Sequence, residues 1–323
     1  MLLDIIKLIL SQRKCIDNWL SVLFQLIKIR YFHGYNEILL KKKNNYIRVR
    51  AFGGAYYYFL KACKEGKIKS FNIYQDEIEI NGKIAKIDKR DLVDDYIFAL
   101  LYNWEIKEGY FEKNGIKLTR IPFTVIEIFE NKDYETEVKG REVVDIGANI
   151  RDSSIYFAVN GAKKVVAIEP LPSVYSELLK NIELNNLQNT IIPINAAVSS
   201  KEGEMEVPCN YEIGSSAFYS TLLAGGNNKG KLCKVPKITL KKILNEYITD
   251  PYILKMDCEG CEFDLILNEY SSVSTFENII LEYHSNITKI PLSSILNKLS
   301  NDYECKVVGS KKLGKMYCKR RRQ

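Results

Sequence analysis

The sequence predicts an α/β chain, built as a doubly wound Rossmann-like sheet preceded by a small N-terminal α+β appendage. Three observations predict it. The stretch EVVDIGANIRDSSIYFAVNGAKKVVAIEP at 142–170 reads as strand, tight turn, helix and strand. Capping groups at Asp152, Ser153 and Ser154 precede a helix face of Ile155, Phe157 and Ala158. After it, short apolar strand patterns continue to alternate with helical ones, as a parallel sheet requires. Before it, residues 46–120 change to period two around Asn81-Gly82 and Asn114-Gly115, each a two-residue hairpin signal. The expected divisions are an amphipathic helical segment over 1–45, the appendage over 46–138 and the large domain over 139–323.

Residues 1–30 set Asp4, Lys7, Ser11, Lys14, Asn18, Ser21, Gln25 and Lys28 against Leu2, Ile5, Ile9, Ile16, Trp19, Leu23 and Ile27. That spacing predicts an amphipathic helix, or two with a break near Ser11. Charges interrupt each apolar run well short of the ~18 residues a membrane span needs. Asp4 and the lack of a small-residue cleavage site also fit a signal peptide poorly. The helix suits peripheral contact with a membrane surface, or packing on its own domain or on a second copy.

Asp91–Trp104 reads as a helix between the two hairpins, and Tyr56, Tyr57 and Tyr58 as either an aromatic sugar platform or core. Phe123–Phe129 reads as a strand entering the large domain. There Leu171–Asn185 is expected as a helix, Thr190–Ile194 as the third strand, Tyr252–Asp257 as the fourth with a helix over Phe263–Asn268, and Ile279–Tyr283 as the fifth. Tyr303–Val308 and Lys315–Tyr317 form a closing hairpin. Met205–Val235, with Gly214, Gly225 and Gly226, is too irregular for a regular element and reads as an acceptor-binding loop.

A chain of 323 residues with 46% hydrophobic content buries a full core, which excludes a disordered protein. The net charge of +7 is unevenly placed. Residues 1–60 hold 10 Lys and Arg against 3 acids, and residues 311–323 hold 7 against none, so the middle of the chain is net acidic. Basic ends suit a contact of residues 1–30 and 311–323 with anionic lipid better than a basic catalytic face. Eight cysteines without a secretory signal point to a cytoplasmic setting. Cys258-Glu259-Gly260-Cys261 has the spacing of a zinc or redox pair, but no second pair accompanies it, and no metal is expected.

The turn after the first large-domain strand sets the cofactor. Glu169 follows Gly147 by 22 positions, near the ~20-residue offset at which an acid meets a ribose diol. A nicotinamide cofactor wants Gly-x-Gly-x-x-Gly around its pyrophosphate, whereas those places hold Gly147, Asn149 and Asp152. An acid there repels phosphate and suits a cation. S-adenosylmethionine (SAM) carries an ammonium, a sulfonium and a ribose but no phosphate. The expected cofactor residues are Asp145, Gly147, Asn149, Asp152, Ser153, Glu169 and Pro170, with Asn195, Ala196 and Ala197 for the adenine.

With VVDIGAN at 143–149, AIEP at 167–170, NAAVS at 195–199, ITLKKIL at 238–244, LKMDCEGCE at 254–262 and LEYH at 281–284 in that order, the chain resembles the FkbM family of methyltransferases. The resemblance covers about Lys139–Tyr317. It implies a class I methyltransferase sheet, SAM as cofactor and methylation of a hydroxyl on a sugar, glycan or natural product. Arg151 stands where the family normally carries a third glycine, either crowding the turn or reaching outward.

The carboxyl edge of the expected sheet collects Asp257, Glu259 and His284. Asp257 and His284 are the candidate general bases and Glu259 a group to hold the acceptor, with His better tuned to neutral pH. Two competing functions remain. One is a non-catalytic SAM-fold scaffold impaired by Arg151. The other is a nucleic-acid methyltransferase, against which Asp257-Cys258-Glu259-Gly260 argues, since adenine amino methylation uses an Asn/Asp-Pro-Pro-aromatic turn there. Nucleic acid is therefore an unexpected partner, and a small-molecule or glycan acceptor an expected one.

Overall fold

The computed structural model describes residues 10–31, 37–51, 54–87, 93–148, 152–210 and 231–322. The chain divides into two compact units, Met1–Asn131 and Lys132–Gln323. In the first, helix α1 (Trp19–Tyr31) precedes the antiparallel pair β1 (Glu37–Lys42) and β2 (Asn45–Arg50) and helix α2 (Ala55–Lys64). Strands β3 (Phe71–Ile73), β4 (Glu77–Ile80) and β5 (Lys83–Lys86) form one meander, helix α3 (Val93–Tyr102) follows, and β6 (Glu105–Lys107), β7 (Tyr110–Lys113) and β8 (Ile116–Leu118) form another.

Both Asn-Gly turns fall where the sequence places them. Asn81 and Gly82 have φ of 55° and 80°, and Asn114 and Gly115 have 51° and 80°. Positive φ at both central residues is the type I′ geometry that suits strand twist. The break in the N-terminal segment lies at Cys15–Asn18, after a short 3₁₀ turn at Gln12–Lys14, rather than near Ser11. Leu20, Phe24 and Ile27 stay exposed on α1, while residues 1–9 lie outside the described ones.

The tyrosine run is not a platform. It winds on α2, whose period separates its members. Tyr56 is buried and donates to Gln12 Oε1 at 2.8 Å, Tyr57 is exposed, and Tyr58 packs edge-on against Phe98 at 5.3 Å. Phe123–Phe129 is not a strand either. A helical turn, Phe123–Val125, runs into the π-helical segment Ile126–Glu130 and buries Val125, Ile126 and Ile128. Its β-branched and aromatic content favours a strand locally, and tertiary packing overrides that preference.

The second unit holds a seven-stranded sheet of β9 (Glu142–Ile146), β10 (Lys164–Ile168), β11 (Ile191–Ile194), β15 (Pro251–Met256), β16 (Asn278–His284), β17 (Tyr303–Gly309) and β18 (Leu313–Arg320). Its order is β11-β10-β9-β15-β16-β18-β17. The first five strands are parallel, and β18 runs antiparallel to both its neighbours. The order reverses at β9, which places the topological switch point between β9 and β15. This is a doubly wound Rossmann-like sheet closed by an antiparallel hairpin. The connecting helices are α4 (Asp152–Val159), α5 (Pro172–Leu184), α6 (Leu240–Tyr247), α7 (Cys261–Asn268) and α8 (Leu292–Leu299). One core joins Val144, Val166, Leu254 and Ile279 of the strands to Leu240, Phe263 and Ile295 of α6, α7 and α8. Thr239 caps α6 by accepting from the Lys242 amide at 3.2 Å.

Two further expectations change here. The irregular stretch after Met205 contains a regular hairpin foot: β13 (Gly203–Pro208) pairs with β14 (Leu232–Ile238), which also takes β12 (Ala197–Val198) as a parallel neighbour. Its tip, residues 211–230, lies outside the described residues. The closing hairpin is longer than read: its second strand, placed at Lys315–Tyr317, runs over Leu313–Arg320 and takes up most of the basic C-terminal stretch, with Met316 and Cys318 buried and Lys315 paired to Asp133. No helix among the described residues is long and apolar enough to cross a membrane.

All eight cysteines are paired, as Cys15–Cys63, Cys209–Cys233, Cys258–Cys261 and Cys305–Cys318. Cys305 and Cys318 are isolated in sequence but face one another across β17 and β18. Cross-strand register, which sequence spacing does not display, brings them together.

Candidate functional site

The parallel strands deliver their carboxyl ends to one edge, and every described candidate lies along it or on the helix that follows. Asp145 is near the end of β9, Gly147 just beyond, Glu169 and Pro170 after β10, Asn195 after β11, Asp257 and Glu259 after β15, and His284 closes β16. Asp152 and Ser153 open α4, whereas Ala196 and Ala197 are buried beyond β11. Asn149 and Arg151 lie outside the described residues.

Gly147 is required twice over. Its φ is 73°, and a Cβ there would meet the Asp257 carbonyl oxygen at 1.9 Å. That approach is fixed by the Gly147 and Ala148 amides, which donate to Ile168 O at 3.0 and 3.1 Å, and by the Asp257 amide, which donates to Ile146 O at 3.0 Å. The turn therefore locks the ends of β9, β10 and β15 together.

Beneath it lies a wholly buried ion pair. Asp145 Oδ1 faces Lys255 Nζ at 3.0 Å, while Ser153 and Ser154 donate to Asp145 Oδ2 at 2.7 and 2.5 Å. Lys255 also donates to Gly147 O at 2.8 Å and lies over the Tyr134 ring, 5.7 Å from its centroid. Burial works against the Lys255 charge, yet Asp145, Asp257 and Asp152 outweigh it and hold its pKa above the ordinary value. Burial pushes the Tyr134 hydroxyl well up, so the ring stays a neutral wall, stacked on Phe157 at 6.3 Å.

Beyond β10, Glu169 is buried, with Oε1 accepting from the Leu171 amide at 2.9 Å. Asn195 Nδ2 donates to Glu169 O at 2.8 Å and to Pro170 O at 3.1 Å. These bonds tie the ends of β10 and β11 into one wall.

The ends of β15 and β16 are built differently. Glu259 adopts the left-handed region, φ 57°, and Gly260 follows at φ 128°. For a glutamate that conformation costs roughly 1–2 kcal/mol, the kind of strain that clusters at functional sites. Glu262, fully buried at the start of α7, accepts from the Gly260 amide at 2.9 Å and from the His284 amide at 2.9 Å, and its Oε1 meets His284 Nδ1 at 3.0 Å. His284 Nε2 then lies 3.7 Å from Glu259 and 3.8 Å from Glu282.

The charges packed in this array shift its two titrating members in ways the sequence does not display. Burial pulls the His284 pKa down, but the hydrogen bond and charge of Glu262, with Asp257 and Glu259, outweigh it and raise the pKa to about 10. At neutral pH the ring is an imidazolium and has no lone pair with which to take a proton. Burial pushes Glu259 up to about 7, with Asp257 and Glu262 adding to the rise and His284 opposing it. Glu259 is thus the group tuned to neutral pH.

Sequence reasoning did not single out Lys255, Glu262, Glu282 or Tyr134 as site residues. Lys255 had a signal, being one charge inside the apolar strand Tyr-Ile-Leu-Lys-Met. Tyr134 had none, because it reaches the site through tertiary packing.

Residues 145–304 match the model of the methyltransferase FkbM domain. This chain carries an FkbM methyltransferase domain. The matched span opens on Asp145 and takes in the turn, Glu169, Asn195, the Asp257–Glu262 loop and His284. Hexuronic acid methyltransferase AglP from Haloferax volcanii is 24% identical over 166 residues, 49% of this chain and 63% of that protein. The chain therefore spans less than two thirds of that relative's length. Among solved structures, M. capricolum TrmK in complex with S-adenosyl-homocysteine is 12% identical and aligns at a TM-score of 0.36 over 62% of this chain and 68% of its own. Precorrin-6y C5,15-methyltransferase from Geobacter metallireducens GS-15 is likewise 12% identical, at a TM-score of 0.35 over 60% and 88%. Scores this low bear no weight on the site.

Proposed function

We propose that the FkbM domain transfers a methyl group from SAM to a hydroxyl of a sugar or glycan, with Glu259 as general base. The observation that carries this reading is the Glu259–His284–Glu262 array at the ends of β15 and β16, inside the matched family span.

The described residues fit the cofactor. A donor set of carboxylates, with Glu169 at the end of β10, suits a cationic ligand bearing a ribose diol, and no arginine fork for phosphate stands among the described residues of the turn. Glu169 would meet the ribose, Asn195 and Ala197 would border the adenine, and Asp257 and Asp152 would face the cationic end. Asp145 acts through the turn it orders, since Lys255, Ser153 and Ser154 already occupy its carboxylate. When bound, SAM supplies an electrophilic methyl group on a sulfonium.

The chain's own residues do the rest. A hydroxyl is a weak nucleophile until its proton is being removed, and the acceptor oxygen must lie about 3–3.5 Å from the methyl carbon in line with the leaving sulfur. Glu259, poised near neutrality and one-third exposed, accepts that proton. His284, held by Glu262, keeps a positive charge beside Glu259 and steadies its ionised form. Among the described residues the edge is rich in carboxylates, so a neutral sugar hydroxyl fits better than the acidic sugar in the relative's name.

The test is methyl transfer from labelled SAM to a panel of neutral and acidic sugars. Transfer to a neutral hydroxyl, lost in Glu259→Gln while SAM still binds, is the expected result. SAM binding with no transfer to any hydroxyl would favour the scaffold reading, and NAD binding of equal strength would overturn the cofactor.

A further inference from the structure

The function proposed above leaves one motif unused, the pair Cys258 and Cys261 that brackets Glu259 and Gly260. The two sulfurs are bonded, with a sequence separation of 3, against 48, 24 and 13 for the other pairs. Because the stability a crosslink adds grows with the loop it closes, this bond contributes least of the four to holding the fold. Its position says more than its span. It staples the very loop that holds Glu259 at φ 57° and Gly260 at φ 128°.

Accessibility separates this pair from two of the other three, and its place separates it from the third. Cys15, Cys63 and Cys318 are buried within their units, so two of the other bonds have a sealed sulfur, whereas Cys258 and Cys261 are both half-exposed; Cys209 and Cys233 are half-exposed as well, but only Cys258 and Cys261 bracket Glu259. Cys261 is the first residue of α7, where unpaired backbone amides favour a thiolate. Cys258 Sγ lies 3.3 Å from Glu262 Oε2, the carboxylate that also holds the Gly260 and His284 amides and the His284 ring.

We propose that Cys258 and Cys261 form a reversible thiol–disulfide site that sets the protonation of the Glu262–His284–Glu259 array, with a small thiol as its reductant. The inference rests on the reading of that array as the acceptor-side machinery. Two thiols, RSH, reduce the bond through a mixed disulfide: the S–S bond breaks, one R–S–S–R forms, and two electrons and two protons pass to Cys258 and Cys261. In the disulfide, Cys258 carries no proton to give. In the dithiol, its S–H donates to Glu262 Oε2, which spreads that charge away from His284 while the unstapled loop lets Glu259 leave its strained conformation. The oxidised chain is therefore the competent one. His284 is faced by Glu262 from α7, by Asp257 and Glu259 from the loop after β15, and by Glu282 from its own strand, so the change at Glu262 and the loosening of the loop act on it together while Glu282 stays in place.

The chain has two histidines, so a His33→Gln background leaves the imidazole signal of His284 alone. In dithiothreitol buffers of graded potential, alkylation followed by peptide mass spectrometry reports which pair opens, and imidazole NMR across pH reports His284. The expected result is that Cys258–Cys261 opens before the other three pairs with the fold intact, and that the His284 pKa falls by about one unit, a tenfold change in its proton affinity. The Cys258→Ser/Cys261→Ser variant should show one His284 titration in every buffer. The inference is overturned if the pair opens only on unfolding, if His284 titrates identically in both states, if the double variant still responds, or if the reduced pair retains zinc and resists alkylation. Neither readout uses methyl transfer, so failure of the acceptor assay would sink the proposed activity and leave this result standing.

Discussion

Two carboxylate–cation pairs, one containing Lys255 and the other the nearby Glu259, sit on the same sheet edge and are built to opposite ends. Asp145 and Lys255 are wholly buried, 3.0 Å apart, with both serines of α4 and the Gly147 carbonyl completing the set. Glu259 and His284 are 3.7 Å apart, Glu259 is one-third exposed and its backbone is strained. The buried pair is sealed from a ligand and fixes the turn, with the serines on Oδ2 and Lys255 alone facing Oδ1. The other pair, with a half-exposed carboxyl near neutrality, is open to a substrate. Charge alone does not mark the reactive site; exposure and a strained backbone do.

The largest expected effect breaks the buried pair. Lys255→Met leaves Asp145 buried with its serines but no cation, and an uncompensated buried charge costs about 3–5 kcal/mol. Urea unfolding should show that loss, with SAM affinity falling because the turn is no longer fixed. A variant as stable as the parent would mean that the serines alone satisfy Asp145. The reactive pair should respond in the opposite manner. Glu259→Gln keeps the shape and removes the base, so kcat should fall by roughly a hundredfold or more, with the unfolding midpoint and SAM affinity unchanged. If SAM affinity falls with kcat, Glu259 belongs to the cofactor side and the comparison fails.

Much of this architecture is legible in the amino-acid sequence alone. The Asn-Gly hairpins and the parallel strands carry their own signals, and the edge residues Asp145, Glu169, Asp257 and His284 follow from strand ends in a doubly wound sheet. What is not legible depends on partners distant in sequence. Strand β18 is legible only over Lys315–Tyr317, and its extension to Leu313 and Arg320 hides in a basic stretch whose Lys and Arg resemble a solvated surface. The disulfides need register. The protonation of His284 depends on Glu262, 22 residues away, whose burial no local pattern announces. A lone histidine at a strand end suggests a base, and its neighbour makes it a cation.

The pH profile sharpens the reactive half of the comparison. Glu259 must be ionised to take a proton, so kcat/KM should rise through about pH 7, and His284 must be charged to steady it, so the rate should fall toward about pH 10. Stability carries the same sign for the histidine. Its pKa lies above the unfolded value of 6.5, so its contribution is complete below that value and is lost as pH rises through about 10.

The smallest effect comes from the outermost acid of the array. Glu282 Oε1 lies 3.8 Å from His284 Nε2 with its side chain 23% exposed, and water screens a charge at that position. Glu282→Gln removes one negative charge facing the imidazolium, which destabilises the charged ring, so the alkaline limb should move to lower pH by less than about one unit, or about 1.4 kcal/mol. The acid limb should stay in place, because burial is the leading cause of the Glu259 shift and Glu282 does not alter it. At neutral pH both groups keep their working protonation states, so the rate there should change less than about threefold. Movement of the acid limb with a fixed alkaline one would mean that Glu282, rather than His284, governs the ionisation of Glu259, and the cation would then lose its place in the array.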